Sequence, residues 1–262
     1  MKPIQDFPRK TRQQIKYVLT DIDDTLTLDG KLPAIAYSAM ERLQMAGIKV
    51  IPITGRPAGW CDHIARMWPV YGLVGENGAF YFYYDSKNRK MVRSFWRSEA
   101  QRREDQVILT ALQQQILREV PGCRVSVDQP YREADLAIDF CEDVQPLPMQ
   151  EVKRIVSIFE AAGAVAKISS IHVNGWFGDY DKLSMTKRFF AEVFRVDLED
   201  KKESVVFSGD SPNDAPMFSF FPNGVGVANV LQFVDDLEHK PAWITQKKGG
   251  YGFAEMVDIL LS

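Results

Sequence analysis

The sequence predicts an α/β chain: a Rossmann-like parallel-sheet core with an inserted α+β module. Three observations predict it. Short apolar runs alternate with helix-patterned segments over residues 1–82. The alternation breaks over residues 83–177, where a hairpin, a long polar helix and more strands follow one another. It resumes over residues 178–262. The expected division is therefore a core from 1–82 and 178–262, with 83–177 inserted as a cap over the strand ends.

Each element has its own justification. Residues 17–22 (YVLTDI) form a short apolar run and read as a buried strand. Residues 33–46 read as a helix, with Ile35, Ala39, Leu43 and Ala46 at helix spacing and Gly47 as the stop signal. Residues 48–54 (IKVIPIT) are a second strand, 57–67 a second helix, and Leu73-Val74 lead into the turn-rich Gly75-Glu76-Asn77-Gly78. This βαβαβ order implies a parallel sheet with right-handed crossovers.

In the insertion, residues 79–84 and 90–96 read as strands joined by the turn at 85–89. Residues 99–120 form a helix with Val107, Leu109, Leu112, Ile116 and Leu117 as its apolar stripe. Residues 136–141, 164–169 and 171–173 read as strands, and 149–162 as a helix ending at Gly163. The final third reads as helix 182–194, strand 204–208, helix 212–218, strand 225–227, helix 230–237, strand 242–245 and helix 253–261.

Bulk properties exclude several classes. Of 262 residues, 45% are hydrophobic and 26% charged, which is ordinary for a globular protein and not for a disordered one. A formal net charge of -3 supplies no electrostatic footprint for nucleic acid and no basic tract for a membrane surface. No apolar run is long enough to span a bilayer, and residues 1–16 contain no apolar signal-peptide segment. Three cysteines without CxxC spacing argue against a disulfide framework or a zinc site. The expectation is a cytoplasmic enzyme, monomeric or a small homo-oligomer, with neither nucleic-acid nor membrane partners.

The chemistry concentrates in two acidic clusters, each following an apolar run: Asp21-Ile22-Asp23-Asp24-Thr25 and Gly209-Asp210-Ser211-Pro212-Asn213-Asp214. Ligands in open parallel sheets bind beyond the carboxyl ends of strands. If the two strands are neighbours, Asp21, Asp23, Asp210 and Asp214 converge. Such a group cannot stay ionised at close range without a cation. Carboxylate, carbonyl and water ligands favour Mg²⁺ over softer ions. The three histidines, His63, His172 and His239, lie outside these clusters, which argues against zinc.

Asp21 and Asp23 are two residues apart, so in extended chain both face one way. That suits Asp21 as a nucleophile toward phosphorus and Asp23 as the acid and base serving the leaving oxygen and then water. Thr54-Gly55-Arg56 ends the second strand, and a hydroxyl with exposed backbone N–H groups can cradle a phosphoryl oxygen. Lys182, opening a helix, can offset the repulsion between an anionic nucleophile and an anionic substrate; Lys187 is the alternative. Asn213 can donate to phosphate or orient a ligand. Asp214 can reach the metal through water or hold a backbone group.

The ordered set DxDxT, TGR, Lys and GDxxND resembles the haloacid dehalogenase superfamily of aspartyl-phosphate phosphatases. The insertion between the second and third motifs resembles its type IIB members, which carry a large α/β cap, and Asn77-Gly78-Ala79 is similar to the NGA turn of that subgroup. The resemblance implies Asp21 as nucleophile, Asp23 as acid/base, and Thr54, Gly55, Lys182 and Asn213 around the phosphate. It also implies Asp21, Asp210, Asp214 and the Asp23 backbone carbonyl around Mg²⁺. Two positions depart from the pattern: Asp24 and Leu183 stand where glycine is frequent. The subgroup includes phosphatases of sucrose phosphate, trehalose phosphate and mannosyl-3-phosphoglycerate, and also phosphomannomutases. The implied partner is thus a small phosphorylated substrate, most readily a sugar phosphate. Arg132, His172, Asn174 and Trp176 are the candidate cap contacts. A phosphosugar mutase and a phospho-aspartate signalling module are the competing readings. A dinucleotide-binding protein is disfavoured because no GxGxxG follows the first strand.

Overall fold

The strands that carry the two acidic clusters are hydrogen-bonded neighbours. In the computed structural model, which describes residues 1–169 and 171–262, Tyr17 pairs with Val205 and Thr20 with Ser208 in parallel register. The chain begins with β1 (Lys2–Pro3) and α1 (Arg9–Arg12), then β2 (Tyr17–Thr20), α2 (Ala34–Met45), β3 (Lys49–Pro52), α3 (Ala58–Met67) and β4 (Leu73–Gly75). The hairpin β5 (Phe80–Asp85) and β6 (Lys90–Phe95) comes after them. Next come α4 (Glu99–Glu119), β7 (Arg124–Val125), β8 (Asp135–Asp139), α5 (Met149–Ala161), β9 (Val165–Ile168) and β10 (His172–Trp176). The last third is α6 (Lys182–Phe189), β11 (Val205–Gly209), α7 (Ala215–Phe220), β12 (Gly224–Gly226), β13 (Trp243–Ile244) and α8 (Gly249–Leu260).

The main sheet is all parallel, in the order β1-β13-β12-β11-β2-β3. Both faces are covered. Val18, Val50, Val206 and Val225 pack toward α2, α3 and α8, while Leu19, Ile51, Val205 and Phe207 pack with Met185, Phe189 and Met217 on the other face. This explains why these strands read as continuous apolar runs and not as alternating ones. The chain order reverses between β11 and β2, the kind of crevice where open α/β sheets bind ligands.

The hairpin is joined to this sheet. A parallel bridge between Ile53 and Val74, with Thr54 N–H donating to Val74 O at 2.9 Å, links β3 to β4, and β4 pairs with β5 and β5 with β6. Phe80 and Phe82 enter one core cluster and Tyr81 the other. Residue 82, the first junction expected from sequence, thus lies inside β5. We propose that the insertion proper starts between Phe95 and Glu99, after the hairpin.

The inserted elements have their own core. In the order β7-β8-β10-β9, an antiparallel sheet carries α4 and α5 on one face. Strand alternation sorts its residues. Leu136, Ile138 and Val173 pack into the cluster with Leu112, Ile116 and Phe159. Asp135, Ala137 and Asp139, registered against Trp176, Asn174 and His172, take the opposite face. That polar face turns toward the carboxyl ends of β2 and β3.

Two sequence expectations need adjustment. The helix expected over 182–194 is α6 followed by a wider turn over Phe190–Phe194, closed by Arg195 at φ 58°. The helix expected over 230–237 is a short 3₁₀ segment over Ala228–Phe233, in which Val230 is the one buried apolar side chain. One anchor does not give the repeated apolar stripe that holds an α-helix on a core. Among the described residues, no helix is long and apolar enough to cross a membrane.

Candidate active site

Asp21 is fixed by the pairing of β2 with β11. Its N–H donates to Ser208 O at 2.9 Å, and the Ser208 hydroxyl donates to Thr20 Oγ1 at 2.8 Å, so the two strands are stitched together immediately before the acids. The chain then turns sharply: Asp24 has φ 56°, a left-handed conformation that aspartate tolerates better than most residues. Asp24 thus holds a backbone conformation that glycine adopts freely. The turn carries Thr25 back so that its hydroxyl donates to Asp210 Oδ1 at 2.9 Å.

Asp21, Asp210 and Asp214 each offer a carboxylate oxygen within 4.8 Å of the others, and all three are buried. Among the described residues this is the one such group of acidic, histidine or cysteine side chains. Gly209 makes the arrangement possible: a Cβ there would sit 2.5 Å from Asp214 Oδ2. That oxygen accepts the N–H groups of Asp210 (3.1 Å) and Ser211 (3.4 Å), closing the loop on itself.

Lys182 completes the cluster. Its Nζ lies 2.7 Å from Asp21 Oδ1 and 3.0 Å from Asp214 Oδ1, with the side chain only 7% exposed. Asp181 caps α6 by accepting Ser184 N–H at 2.7 Å, which sets the helix start and the lysine with it. Lys187, the alternative, instead lies 4.3 Å over the Phe220 ring, away from the acids.

The charges do not balance. Each carboxylate pair at this spacing repels by roughly 3.5 kcal/mol at an effective dielectric of 20, and one lysine serves three acids. Burial pushes the Asp21 carboxyl up to about 7, with Lys182 opposing and the charges of Asp214 and Asp23 adding to the rise. Burial, then Asp214 and Asp21, push Asp210 well above the usual carboxylate range. Burial works against the charge of Lys182, but Asp21 and Asp214 outweigh it and hold the ammonium protonated. Three hard oxygen donors with excess negative charge fit a Mg²⁺-sized ion.

Asp23 points elsewhere. Its carboxylate is outside this group and takes the Arg56 guanidinium through both oxygens, with Nη2 to Oδ1 at 2.7 Å and Nε to Oδ2 at 3.0 Å. If Asp23 contributes to a metal, its backbone carbonyl is the atom left to do so. Arg56 belongs to the TGR segment, but a charge partner 33 residues away is not visible in sequence. Thr54 is fully buried, and its Oγ1 accepts Arg56 N–H at 3.0 Å, leaving the hydroxyl proton uncommitted. Gly55 lies against the Asn77 side chain, 3.1 Å from where a Cβ would be. Asn213 Oδ1 accepts the Ser211 hydroxyl at 2.6 Å, which frees its amide N–H groups.

The cap closes directly on these groups. Asp21, Asp23, Gly55, Arg56, Asn77 and Asn213 share one cleft with Arg132, Ser169, His172 and Asn174. Three of the four candidate cap contacts therefore meet the core acids. Trp176 does not: its ring is 1% exposed and stacked on Tyr180 with centroids 5.7 Å apart, at the root of the cap. Sequence reasoning missed Glu76, whose buried carboxylate accepts Ala58 N–H (2.9 Å) in the core and Ala134 N–H (2.7 Å) in the cap. A glutamate in a Gly-rich turn looks solvated until the docking backbone is seen. Arg132 Nη1 adds a bond to Gly55 O at 3.0 Å.

Comparisons with known proteins agree with this architecture. Residues 18–115 match the family model of haloacid dehalogenase-like hydrolases. A crystal structure from Thermoplasma acidophilum superposes with a TM-score of 0.72 at 16% identity, covering 94% of this chain and 98% of the other. The sucrose-phosphatase of Synechocystis, solved with sucrose and phosphate, superposes with a TM-score of 0.64 at 15% identity over 94% and 98% of the two chains. A haloalkanoate dehalogenase-superfamily phosphatase from Bacteroides thetaiotaomicron gives a TM-score of 0.60 at 20% identity over 96% and 98%. No curated protein sequence matches significantly. Over residues 18–115 the chain is thus similar to haloacid dehalogenase-like hydrolases, and over nearly its whole length it shares the fold of these structures.

Proposed function

We propose that the chain is a Mg²⁺-dependent phosphomonoester hydrolase that works through an aspartyl-phosphate on a small phosphorylated metabolite of the sugar-phosphate kind. The observation that carries this reading is the placement of Lys182 Nζ between Asp21 (2.7 Å) and Asp214 (3.0 Å), with Asp210 in the same cluster and Asp23 at the mouth of the cleft. The fold neighbours that include a sucrose-phosphatase support the substrate class. A cytoplasmic setting and a monomer or small homo-oligomer belong to the same reading and rest on composition alone.

In the first half-reaction an Asp21 carboxylate oxygen attacks phosphorus and the ester P–O bond breaks. Asp23 gives its proton to the departing alkoxide. In the second, Asp23 takes a proton from water, the water oxygen attacks phosphorus, and the Asp21–phosphorus bond breaks to release inorganic phosphate. Lys182, the Thr54 hydroxyl, the Gly55 backbone and the Asn213 amide stabilise charge on the phosphoryl oxygens. Asp21, Asp210, Asp214 and the Asp23 carbonyl would hold Mg²⁺, which when bound neutralises part of the negative charge shared by nucleophile and phosphoryl group.

The test is phosphate release over a panel of sugar phosphates, nucleotides and cofactor phosphates, with Mg²⁺ and with chelator. Magnesium-dependent release that disappears in Asp21→Asn is the expected result. A phosphoenzyme stable for hours without turnover would overturn the hydrolase reading in favour of a signalling module.

A further inference from the structure

We infer that the cleft selects monophosphates whose leaving group is uncharged and hydroxyl-bearing, and that it excludes leaving groups carrying a second anion. This deepens the phosphohydrolase reading and rests on it. The selectivity comes from how the cations of the cleft are committed.

The two guanidiniums that line the cleft are Arg56 and Arg132. Arg132 is 1% exposed at its side chain. It donates from Nε and Nη2 to the two oxygens of Asp128 (2.8 and 3.0 Å), and from Nη1 to Asp135 (3.0 Å) and Gly55 O (3.0 Å). Arg56 is held by both oxygens of Asp23 and lies 3.7 Å from Asp128 and 3.5 Å from Glu142, with its flat face 4.6 Å from the Trp60 ring. Lys182 is spent on Asp21 and Asp214. Apart from Asp23, which the first half-reaction uses as its acid, three carboxylates, Asp128, Asp135 and Glu142, therefore surround two guanidiniums. Among the described residues lining this cleft, no cation is left to receive a second phosphate or a carboxylate.

Glu142 is held in place. Asp139 accepts the N–H groups of Cys141 (2.9 Å), Glu142 (2.8 Å) and Asp143 (2.8 Å), which pins the loop after β8. The Glu142 carboxylate then sits between His172 Nε2 (2.9 Å) and Arg56. A guanidinium already shared among carboxylates is a poor partner for another anion, and like charges brought together cost several kcal/mol, a factor of about 100 or more in affinity.

The groups that remain are amides and hydroxyls. Asn174 gives one N–H to Asp135 (2.9 Å) and keeps its oxygen and second N–H. Asn213 keeps its amide N–H groups, and Ser169 and Asn77 line the same cleft. Such groups pair with sugar hydroxyls. They give a phosphosugar mutase no seat for the second phosphate of its bisphosphate intermediate, so water is the acceptor this cleft favours.

The experiment uses the full-length protein with Mg²⁺ and p-nitrophenyl phosphate as reporter. Competitors are run as matched pairs: glucose 6-phosphate against 6-phosphogluconate, and fructose 6-phosphate against fructose 1,6-bisphosphate. The expected result is a Ki at least about 100-fold lower for the member of each pair that carries a single charged group. Glu142→Gln, which removes one partly exposed carboxylate, should narrow that gap severalfold by improving the doubly anionic member. Equal Ki values, absence of competition by either member, or a preference for the doubly anionic member would overturn the inference while leaving the hydrolase intact. Loss of reporter turnover itself, with Mg²⁺ present, would instead remove the phosphohydrolase reading on which it stands.

Discussion

Lys182 Nζ donates to Asp21 Oδ1 at 2.7 Å across 161 residues of sequence, and the same nitrogen reaches Asp214 Oδ1 at 3.0 Å. One ammonium thus ties together the ends of β2 and β11 and the start of α6. With three buried carboxylates around that single ammonium, the cluster stays short of positive charge, and the ionisation of its lysine and its acids is coupled.

Replacing Lys182 with alanine should lower kcat by roughly 100- to 1000-fold, the scale seen when one charge-stabilising group is lost. Lys187→Ala should leave kcat within about twofold, because its ammonium lies over the Phe220 ring and not among the acids. Steady-state kinetics on both variants decide the matter. Equal losses would remove Lys182 from the phosphate site.

Asp21→Asn should abolish turnover, and Asp23→Asn should slow it by roughly 100- to 10,000-fold, the usual range for a lost acid/base. Rapid-quench measurements distinguish the two: Asp21→Asn should show no phosphoenzyme, and Asp23→Asn should show slowed formation and slowed breakdown. Circular dichroism should report an unchanged fold, since neither side chain holds up a hydrophobic cluster.

The three buried acids also set a pH dependence. Asp21 is raised to about 7 and Asp210 well above the carboxylate range, burial leading in both. Both lie above their unfolded values, so the folded state binds protons that the unfolded state releases. The stability this supplies is complete below the ordinary carboxylate pKa and is lost as pH rises through about 7. In chelator, Tm should therefore fall between about pH 6 and about pH 8. Added Mg²⁺ should raise Tm more at the higher pH, because it competes with those protons. Thermal scans with and without Mg²⁺ at both pH values check this; a pH-independent Mg²⁺ effect would mean the ion does not bind these carboxylates.

Much of this site was legible in sequence because parallel sheets impose it. Apolar runs at 17–22 and 204–208 end in acids, and adjacent pairing of those strands follows from the alternating pattern. Lys182 was legible only through motif order, since nothing local separates it from Lys187. Arg56, Glu76 and Thr25 show the limit. Their partners, Asp23, the Ala134 backbone and Asp210, lie 33, 58 and 185 residues away and are supplied by docking of separate elements. Antiparallel strands interrupt the βαβ alternation, so sequence alone groups most of the hairpin with the insertion. Its attachment to the core rests on the Ile53–Val74 bridge and on Phe80 and Phe82, which alternation alone does not orient.

Gly78 offers a test of how tightly the turn before the hairpin controls the lysine. Its φ is 109°, outside the range comfortable for residues with a side chain, and a Cβ there would sit 2.1 Å from Asp181 O and 3.0 Å from Lys182 N. The obstacle is backbone at the capped start of α6, so it cannot swing aside as a side chain would. Gly78→Ala should therefore cost about 2 kcal/mol or more of stability through strain and clash together. It should also push the α6 terminus away from the sheet and lengthen the Lys182–Asp21 contact. The kinetic signature is a fall in kcat that resembles Lys182→Ala, accompanied by a lower denaturation midpoint that Lys182→Ala in saturating Mg²⁺ does not share to the same degree. Gly163→Ala, also at positive φ (78°) but with nothing within 4 Å of its Cβ, supplies the control for conformational strain alone. If both variants lose stability but only Gly78→Ala loses kcat, the turn positions the lysine; if Gly78→Ala keeps wild-type kcat, it does not.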